Sequence, residues 1–489
     1  MDELRKNYRP WDAQENSEEV VSPRNALPEG DLVFFLIDTV ATLDLSAFHQ
    51  HYARELRGQP PFDVTMMVTL LVYAYSVGVC SSRKIATACE RNLAFRALVG
   101  NDPPDFRTIS DFRKIHTAAF RPLFVEVLRL AGELGMVKLG NLSTDGTKIR
   151  ANASRHKAMS YGYMNKELKR LEEEIDGILK EAEQTDAEQD ATLGSRRGDE
   201  LPAELKRRED RLAKIREAKT RLEAAAKAEG EEEQRRRNAE QAAREAQGRK
   251  RRGKEPAPVK FTPEDKAQTN FTDSEAKIMK QSNKGFDYSY NAQGVVDSEN
   301  QIIVAAEVTQ QANDKKQAVP MAQAALENLA AAGIEVPKDA DNKPKAIPNT
   351  ADTGYFSEKA VEELESMGLD PHIAVGRQKH HETSVPSAEE DVSQQEHQEA
   401  SVPTVQEEAA GSATAKEKMQ QKLSSVTGKL LYAARKHIIE PVFGQIKSAR
   451  GIRKFLLRGL KKVSAEWQLI CLTHNILKIW RRCGGVAPS

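Results

Sequence analysis

Cysteine is scarce in this chain. Four occur in 489 residues, at Cys80, Cys89, Cys471 and Cys483, and no two form a Cys-x-x-Cys pair. Zinc ribbons and disulfide frameworks are therefore not expected, and a reducing cytoplasm is the natural compartment. Long apolar runs are missing too. Leu32–Val40 and Met66–Val79 are too short or too interrupted to cross a bilayer. The opening MDELRKNYRPWD lacks the basic-then-apolar order of a secretion signal. Net charge is absent: 73 Lys and Arg stand against 73 Asp and Glu, so the totals name no nucleic-acid partner. Aromatic residues make up 6% and hydrophobic ones 39%. With a mean hydropathy of −0.61, this composition predicts a soluble protein with polar insertions. A single core seldom grows past ~250–300 residues, so more than one domain is expected.

The charge that cancels in the total is unevenly spread. Residues 383–410 are acidic, and the tail is basic. Within LYAARKHIIEPVFGQIKSARGIRKFLLRGL, one acid, Glu440, lies between Tyr432, Arg435 and Lys436 on one side and Lys447 on the other. Arg450, Arg453, Lys454, Arg458, Lys461 and Lys462 follow, with no further acid until Glu466. One reading is an amphipathic basic helix whose acid makes an ordinary ion pair. The other is a carboxylate that binds a cation while its basic neighbours grip a phosphate backbone. Pro441 suits the first turn of a helix, which predicts a helix start within a few residues of Glu440 and puts Glu440 and Lys447 on one face about two turns apart.

Upstream, residues 1–30 read as an irregular lead-in and 31–138 as a helical N-terminal domain. Val68, Leu71, Val72 and Tyr75 repeat at helical spacing there, as does the 120–134 stretch. A short helix is expected after Ser81, and another after Pro103-Pro104, capped by Thr108 or Ser110. These short basic helices suit a helix-turn-helix-like DNA contact or a plain helical domain with charged surfaces. The alternating segment 140–150 predicts a strand opening a core region, 139–165. Residues 166–254 are rich in Glu, Lys, Arg and Ala, with apolar residues at helical spacing and breaks at Gly194, Gly198 and Pro202. They predict an antiparallel helical hairpin inserted into the core. Residues 255–382 return to strand signals: a hairpin over 286–308, a helix over 315–332, a short strand ending at Asp352, a helix over 358–367, and a fifth strand over 372–376. Pro348 in the strand before Asp352 suits an edge or strand-end position. Residues 383–416 read as a disordered acidic linker, and 417–489 as a helical C-terminal part.

With the hairpin removed, the order is strand, two-strand hairpin, helix, strand, helix, strand, helix. That is the order of the RNase H-like α/β fold, with a mixed five-stranded sheet. In such a sheet the first and fourth strands are neighbours. Asp145 and Asp352 would then face each other, and Glu440 would approach on a helix. Oxygen-only ligands suit Mg²⁺, and cations would relieve the mutual repulsion of three carboxylates. Each aspartate precedes a glycine directly or one residue on, so a turn role for either is the competing reading. Asp287 and Asp297 read as structural. Trp467, Leu469, Leu472 and Ile476 read as core.

The stretches FDVTMMVTLLVYAYSVGVCSSRKIA, PDFRTISDFRKIH, STDGTKIRANASRHKAMSYGYM, GFDYSYNAQGVVD, ADTGYFSE and the Glu440 block resemble those of DDE-type insertion-sequence transposases, in the branch with a Tyr-Arg-Glu-Lys signature. The resemblance implies that Asp145, Asp352 and Glu440 form a metal-binding catalytic triad for Mg²⁺, with Mn²⁺ able to substitute. It further implies that Tyr432, Arg435 and Lys447 contact DNA near the cut. Here four residues separate Arg435 from Glu440 where the signature has three, which makes Lys436 a rival for the arginine's place. Arg450, Arg453 and Arg458 belong to the predicted DNA grip of the basic tail. The expected activity is cutting element ends and joining them to target DNA. The reaction implies double-stranded DNA with terminal inverted repeats as partner, and at least a dimer to hold two ends. A metal nuclease that cuts without joining, a non-catalytic DNA-binding derivative and a coiled-coil scaffold are the alternatives.

Overall fold

The computed structural model describes residues 22–52, 60–193, 203–246, 248, 256–281, 283–338, 341–376 and 414–488. Most of the lead-in, the acidic linker up to residue 413, His380-His381 and the basic run Arg249–Arg252 lie outside the described residues.

Among the described residues, seven helices come first: α1 (Leu32–Ala41), α2 (Ser46–His49), α3 (Val64–Ser76), α4 (Ser82–Arg91), α5 (Leu93–Val99), α6 (Phe106–Ile115) and α7 (Phe120–Glu133). Side chains of Asp31, Asp63 and Asn92 cap α1, α3 and α5 by accepting from free backbone N–H groups. Asp105, not Thr108 or Ser110, caps α6, accepting from Thr108 N at 2.7 Å. The Pro-Pro pair places the helix start earlier than the hydroxyl residues suggested.

The sheet follows, from β1 (Leu142–Arg150). After β2 (Ala158–Ser160) the chain leaves in α8 (Tyr161–Leu193), returns in α9 (Ala203–Ala246) and re-enters at β3 (Gln268–Asn270), which pairs with β2. The contacts Tyr161–Glu223, Glu167–Arg211 and Glu174–Arg208 run in opposite order along the two helices, so the hairpin is antiparallel. Met164, Leu168, Leu171, Leu212, Ile215 and Ala218 form its own small core. Then come β4 (Lys277–Lys280), β5 (Phe286–Asp297), β6 (Ile303–Thr309), α10 (Ala318–Ala331), β7 (Ile347–Ala351), α11 (Glu358–Ser366), β8 (Leu369–Ile373), α12 (Ala415–Ser424), α13 (Val426–Gly444) and α14 (Leu460–Arg482).

The five principal strands are ordered β6-β5-β1-β7-β8, antiparallel up to β1 and parallel from β1 to β8. This is the mixed RNase H-like sheet. Strand β4 adds a short sixth piece on the same edge of the long β5 as β6. Strand β8 lies three residues earlier than the apolar run at 372–376 predicted, with Pro371 inside it; a proline is tolerated because β8 is an edge. Pro348 sits in an interior strand, but β1 pairs with β7 only from Asn349 onward, so no β1 carbonyl awaits the missing N–H.

One continuous apolar cluster runs from the N-terminal helices through the sheet to α14. Helix α14 is its spine: Trp467, Leu469, Leu472 and Ile476 are fully buried, and the Trp467 indole N–H donates to Gln293 O at 2.9 Å. Asn475 exchanges two hydrogen bonds with the Ile303 backbone. Asp297 accepts from Leu139 N at 2.8 Å and thereby ties the entry of β1 to the end of β5.

Candidate active site

Strand β1 pairs with β7 only over Leu142–Thr144. Beyond Thr144 that edge has no strand neighbour until Arg150, which bridges to Lys454. The interval is a notch in the sheet. Asp145 is the first residue past the pairing on β1, and Asp352 is the first past Ala351 on β7, so register alone makes them neighbours. Asp352 caps a short 3-10 turn by accepting from Gly354 N at 2.7 Å. Asp145 accepts from Gly146 N at 2.7 Å and pairs through its other oxygen with Arg435 Nη1 at 3.2 Å. Burial pushes the Asp145 carboxyl up to about 6; Arg435 and the Gly146 N–H oppose this, while Asp352 and Asp314 add to it.

Helix α13 covers one face of the notch. Arg435 is buried, with its guanidinium 5.9 Å from the Tyr432 ring centroid. Burial works against its charge, but Asp145, Tyr432, Asp352 and Glu440 together hold its pKa above the ordinary value. Lys447 is half-buried nearby; burial, helped by Arg453 and Lys148, lowers its pKa, and Asp145 opposes that. Glu440 is exposed on the flank of α13. It acts on Arg435 through space. Among the described residues, no three of His, Cys, Asp and Glu are close enough to grip one ion. The helix does not start at Glu440: Pro441 is in its interior. The intrahelical bond that proline removes would have ended on His437 O, and Gln301 Nε2 donates to that carbonyl instead, at 2.8 Å. A π-helical turn, Gln445–Ala449, follows and carries Lys447.

The other face holds residues that the sequence reading passed over. Asp314, between β6 and α10, accepts at Oδ1 from Asn291 Nδ2 at 2.6 Å and Gln293 Nε2 at 2.7 Å. Lys148 Nζ is 3.6 Å from the same oxygen. Tyr355 donates to Gln293 Oε1. A Cβ on Gly146 would stand 2.3 Å from Gln293 Nε2, 2.8 Å from Asp314 Oδ1 and 2.9 Å from Asn291 Oδ1, so only glycine fits there. The legible signal was a polar stripe of period two, Ser289, Asn291 and Gln293, alternating with Tyr288, Tyr290, Ala292 and Gly294; all three side chains are fully buried.

Two stretches of the chain match known families. Residues 21–115 match the family described as Transposase domain (DUF772), and residues 393–480 match Transposase DDE domain. The two matches support an insertion-sequence DDE transposase. No curated protein and no solved structure matches it. The second matched stretch includes Tyr432, Arg435, Glu440 and Lys447; neither includes Asp145 or Asp352.

The basic tail of this chain divides into two kinds of residue. Arg450 does not face DNA: it is buried, and its guanidinium donates to Thr473 Oγ1 at 2.7 Å and to Ile470 O at 3.2 Å. Burial lowers its pKa to about 10. Its placement corrects the expectation of a phosphate contact, because the chain turns inward here against α14. Lys436 is exposed. Arg453 and Arg458 are exposed too, held by backbone carbonyls of Lys447 and Asn152 at 2.9 Å. The two acids of the notch, Asp145 and Asp352, offer oxygen donors and repel each other. Such donors fit a hard divalent cation, which takes one or two carboxylates and completes its shell with phosphate and water.

Proposed function

We propose that this transposase cuts its element's ends and joins them to target DNA, with Asp145, Asp352 and Glu440 as the metal-binding catalytic acids. The neighbouring Asp145 and Asp352 carboxylates, just past the point where the parallel pairing of β1 and β7 stops, in a chain with these family matches, carry the reading. A divalent cation, Mg²⁺ with Mn²⁺ as substitute, supplies charge neutralisation and Lewis acidity when bound. Asp145 and Asp352 would hold it from the sheet, with Glu440 on α13 as the third ligand. Arg435, Tyr432 and Lys447 orient the phosphate at the cut, with Lys436, Arg453 and Arg458 on the flanking backbone. In the first step a water oxygen bonds to phosphorus and gives up a proton to solvent, while the P–O bond to the 3′-oxygen breaks and that oxygen takes a proton from solvent to leave as a hydroxyl. In the second, that 3′-hydroxyl attacks a target phosphodiester, loses its proton, and displaces the target's own 3′-oxygen.

The N-terminal helices at 31–138 bind the terminal repeats in this proposal. Support comes from an exposed Phe106 on α6 with the Arg83 and Arg107 guanidinium groups 5.2 and 5.6 Å from its ring centroid. The core at 139–165 and 255–382 is completed by 417–489, and 166–254 is an insertion. A homodimer holds the two ends, in the bacterial cytoplasm. Among the described residues no helix is long and apolar enough to cross a membrane.

The test is incubation of the purified chain with a plasmid bearing the DNA that flanks its gene. Mg²⁺ should give cut ends and joined products, chelator should give neither, and Glu440→Gln should remove cutting while DNA binding persists. Cut ends without joined products, even from a pre-cut end, would reduce the activity to that of a nuclease. A wild type inert with both Mg²⁺ and Mn²⁺ would leave only a DNA-binding protein.

A further inference from the structure

Opposite Arg435 and Lys447, the notch has a second cationic wall that the sequence signature does not include. Lys148 lies on β1 three residues past Asp145, within the interval that β7 leaves uncovered. Its side chain is 19% exposed. Among the described residues its one ion-pair partner is Asp314, and at 3.6 Å this contact is longer than a direct hydrogen bond. Asp145 and Asp352 act on it through space, and Lys148 in turn acts on Lys447 across the notch. The two ammonium groups thus flank one opening from opposite faces of the sheet.

Asp314 is fixed with unusual care for a loop residue. Two buried amides donate to its Oδ1, and one of them is held in turn by the fully buried Tyr355. Asn291 keeps a buried Oδ1 with no hydrogen-bond partner, 2.9 Å from where a Gly146 Cβ would stand. Burying amides on a strand and leaving an acceptor unmet is unfavourable for folding alone. The arrangement is explained if it holds something in place for the reaction.

We propose that Lys148 is a phosphate-binding residue of the reaction centre and that Asp314 is the positioning residue that aims it. An ammonium is a compact cation on a flexible stem, and without a fixed counter-charge it samples many rotamers. With Oδ1 of Asp314 anchored by Asn291 and Gln293, the Lys148 stem is drawn along the sheet face toward the gap. There a phosphate held between Lys148 and Lys447 is within reach of Asp145 and Asp352. The inference rests on the functional reading above.

Lys148→Met, Asp314→Asn and the double variant test it, assayed on the plasmid bearing the flanking DNA. Each single change should lower kcat by about 10–10²-fold, and the double variant should be no worse than the poorer single. Mn²⁺ affinity without DNA, read by electron paramagnetic resonance, should stay within about twofold, since positioning acts on phosphate and not on the cation. The melting temperature should not track the loss of kcat. Additive losses, a fall in Mn²⁺ affinity on Asp314→Asn, or a melting point that drops in step with activity would each overturn the proposal. An active wild type indifferent to both changes sinks this inference alone; an inert wild type sinks the functional reading with it.

Discussion

Asp145 and Glu466 are both carboxylates taken out of water, and they are finished differently. Glu466, on α14, accepts from Leu456 N at 3.0 Å, Leu457 N at 2.9 Å and the Tyr75 hydroxyl at 3.2 Å. Arg113 stands behind, donating to Tyr75 OH at 2.7 Å, Cys80 O at 2.8 Å and Ser82 Oγ at 2.5 Å. Both Glu466 oxygens and both Arg113 Nη atoms find partners, Arg113 Nε alone being buried without one, and the knot ties α3 and α6 to the C-terminal helix. Asp145 has one N–H from its own neighbour and one guanidinium at the rim of a gap. The first arrangement locks the fold. The second leaves a carboxylate able to exchange its partner. The same contrast separates two arginines of one basic segment, Arg435 beside the open acid and Arg450 sealed against α14.

If this contrast is sound, substitutions in the two places fail in different ways. The largest effect is expected at the open acid: Asp145→Asn should reduce cleavage on the order of 10³-fold or more, while the urea midpoint stays near that of the wild type. Loss of folding in that variant would erase the distinction. Next, Glu466→Ala should lower unfolding free energy by roughly 3–5 kcal/mol, because Arg113 is left buried without its counter-charge; denaturant titration reads this. Gly146→Ala should fall between the classes. Its methyl group would press on Gln293 and Asp314, and we expect cleavage about 10²-fold slower with a melting point only slightly changed. The smallest effect concerns pH. Burial holds the His474 pKa down near 3, against an ordinary value of 6.5. The unfolded chain therefore takes up a proton that the folded chain refuses. This contribution is complete above pH 6.5 and is lost as pH falls through the window toward 3. His474→Gln should flatten the acid limb of a melting-temperature profile; an unchanged limb would assign the acid sensitivity elsewhere.

The sheet was legible because its strands obey period two and its connections are short. The order strand, hairpin, helix, strand, helix, strand is sufficient to put β1 beside β7, and with it Asp145 beside Asp352. The hairpin insertion was legible from Leu168, Leu171, Leu212 and Ile215, whose helical spacing marks one apolar face. Other features depend on tertiary partners. Pro441 reads as a helix start from local rules, but Gln301 on a distant turn accommodates the orphaned carbonyl and lets α13 run through it. Arg450 reads as a surface cation because charge patterns carry no depth; α14 supplies the acceptors that bury it. Asp314 lies in QQANDKKQ, a segment with the composition of a plain loop, and only the folded sheet brings Asn291 and Gln293 to it. Glu440 shows the same limit from the other side: its basic neighbours single it out, yet its carboxylate is exposed on the helix flank.

The wide turn at Gln445–Ala449 sets the azimuth of Lys447 at the end of its helix. Such turns hold one residue more than the α repeat allows, and removing one would let the regular ladder close. Lys447 would then take the azimuth of a regular α-helix, about 100° per residue, in place of the one the wider turn gives it. The azimuth of Lys447 against Glu440 is thus set by residue count in a single loop of helix, so a one-codon deletion there is a sharper perturbation than most substitutions.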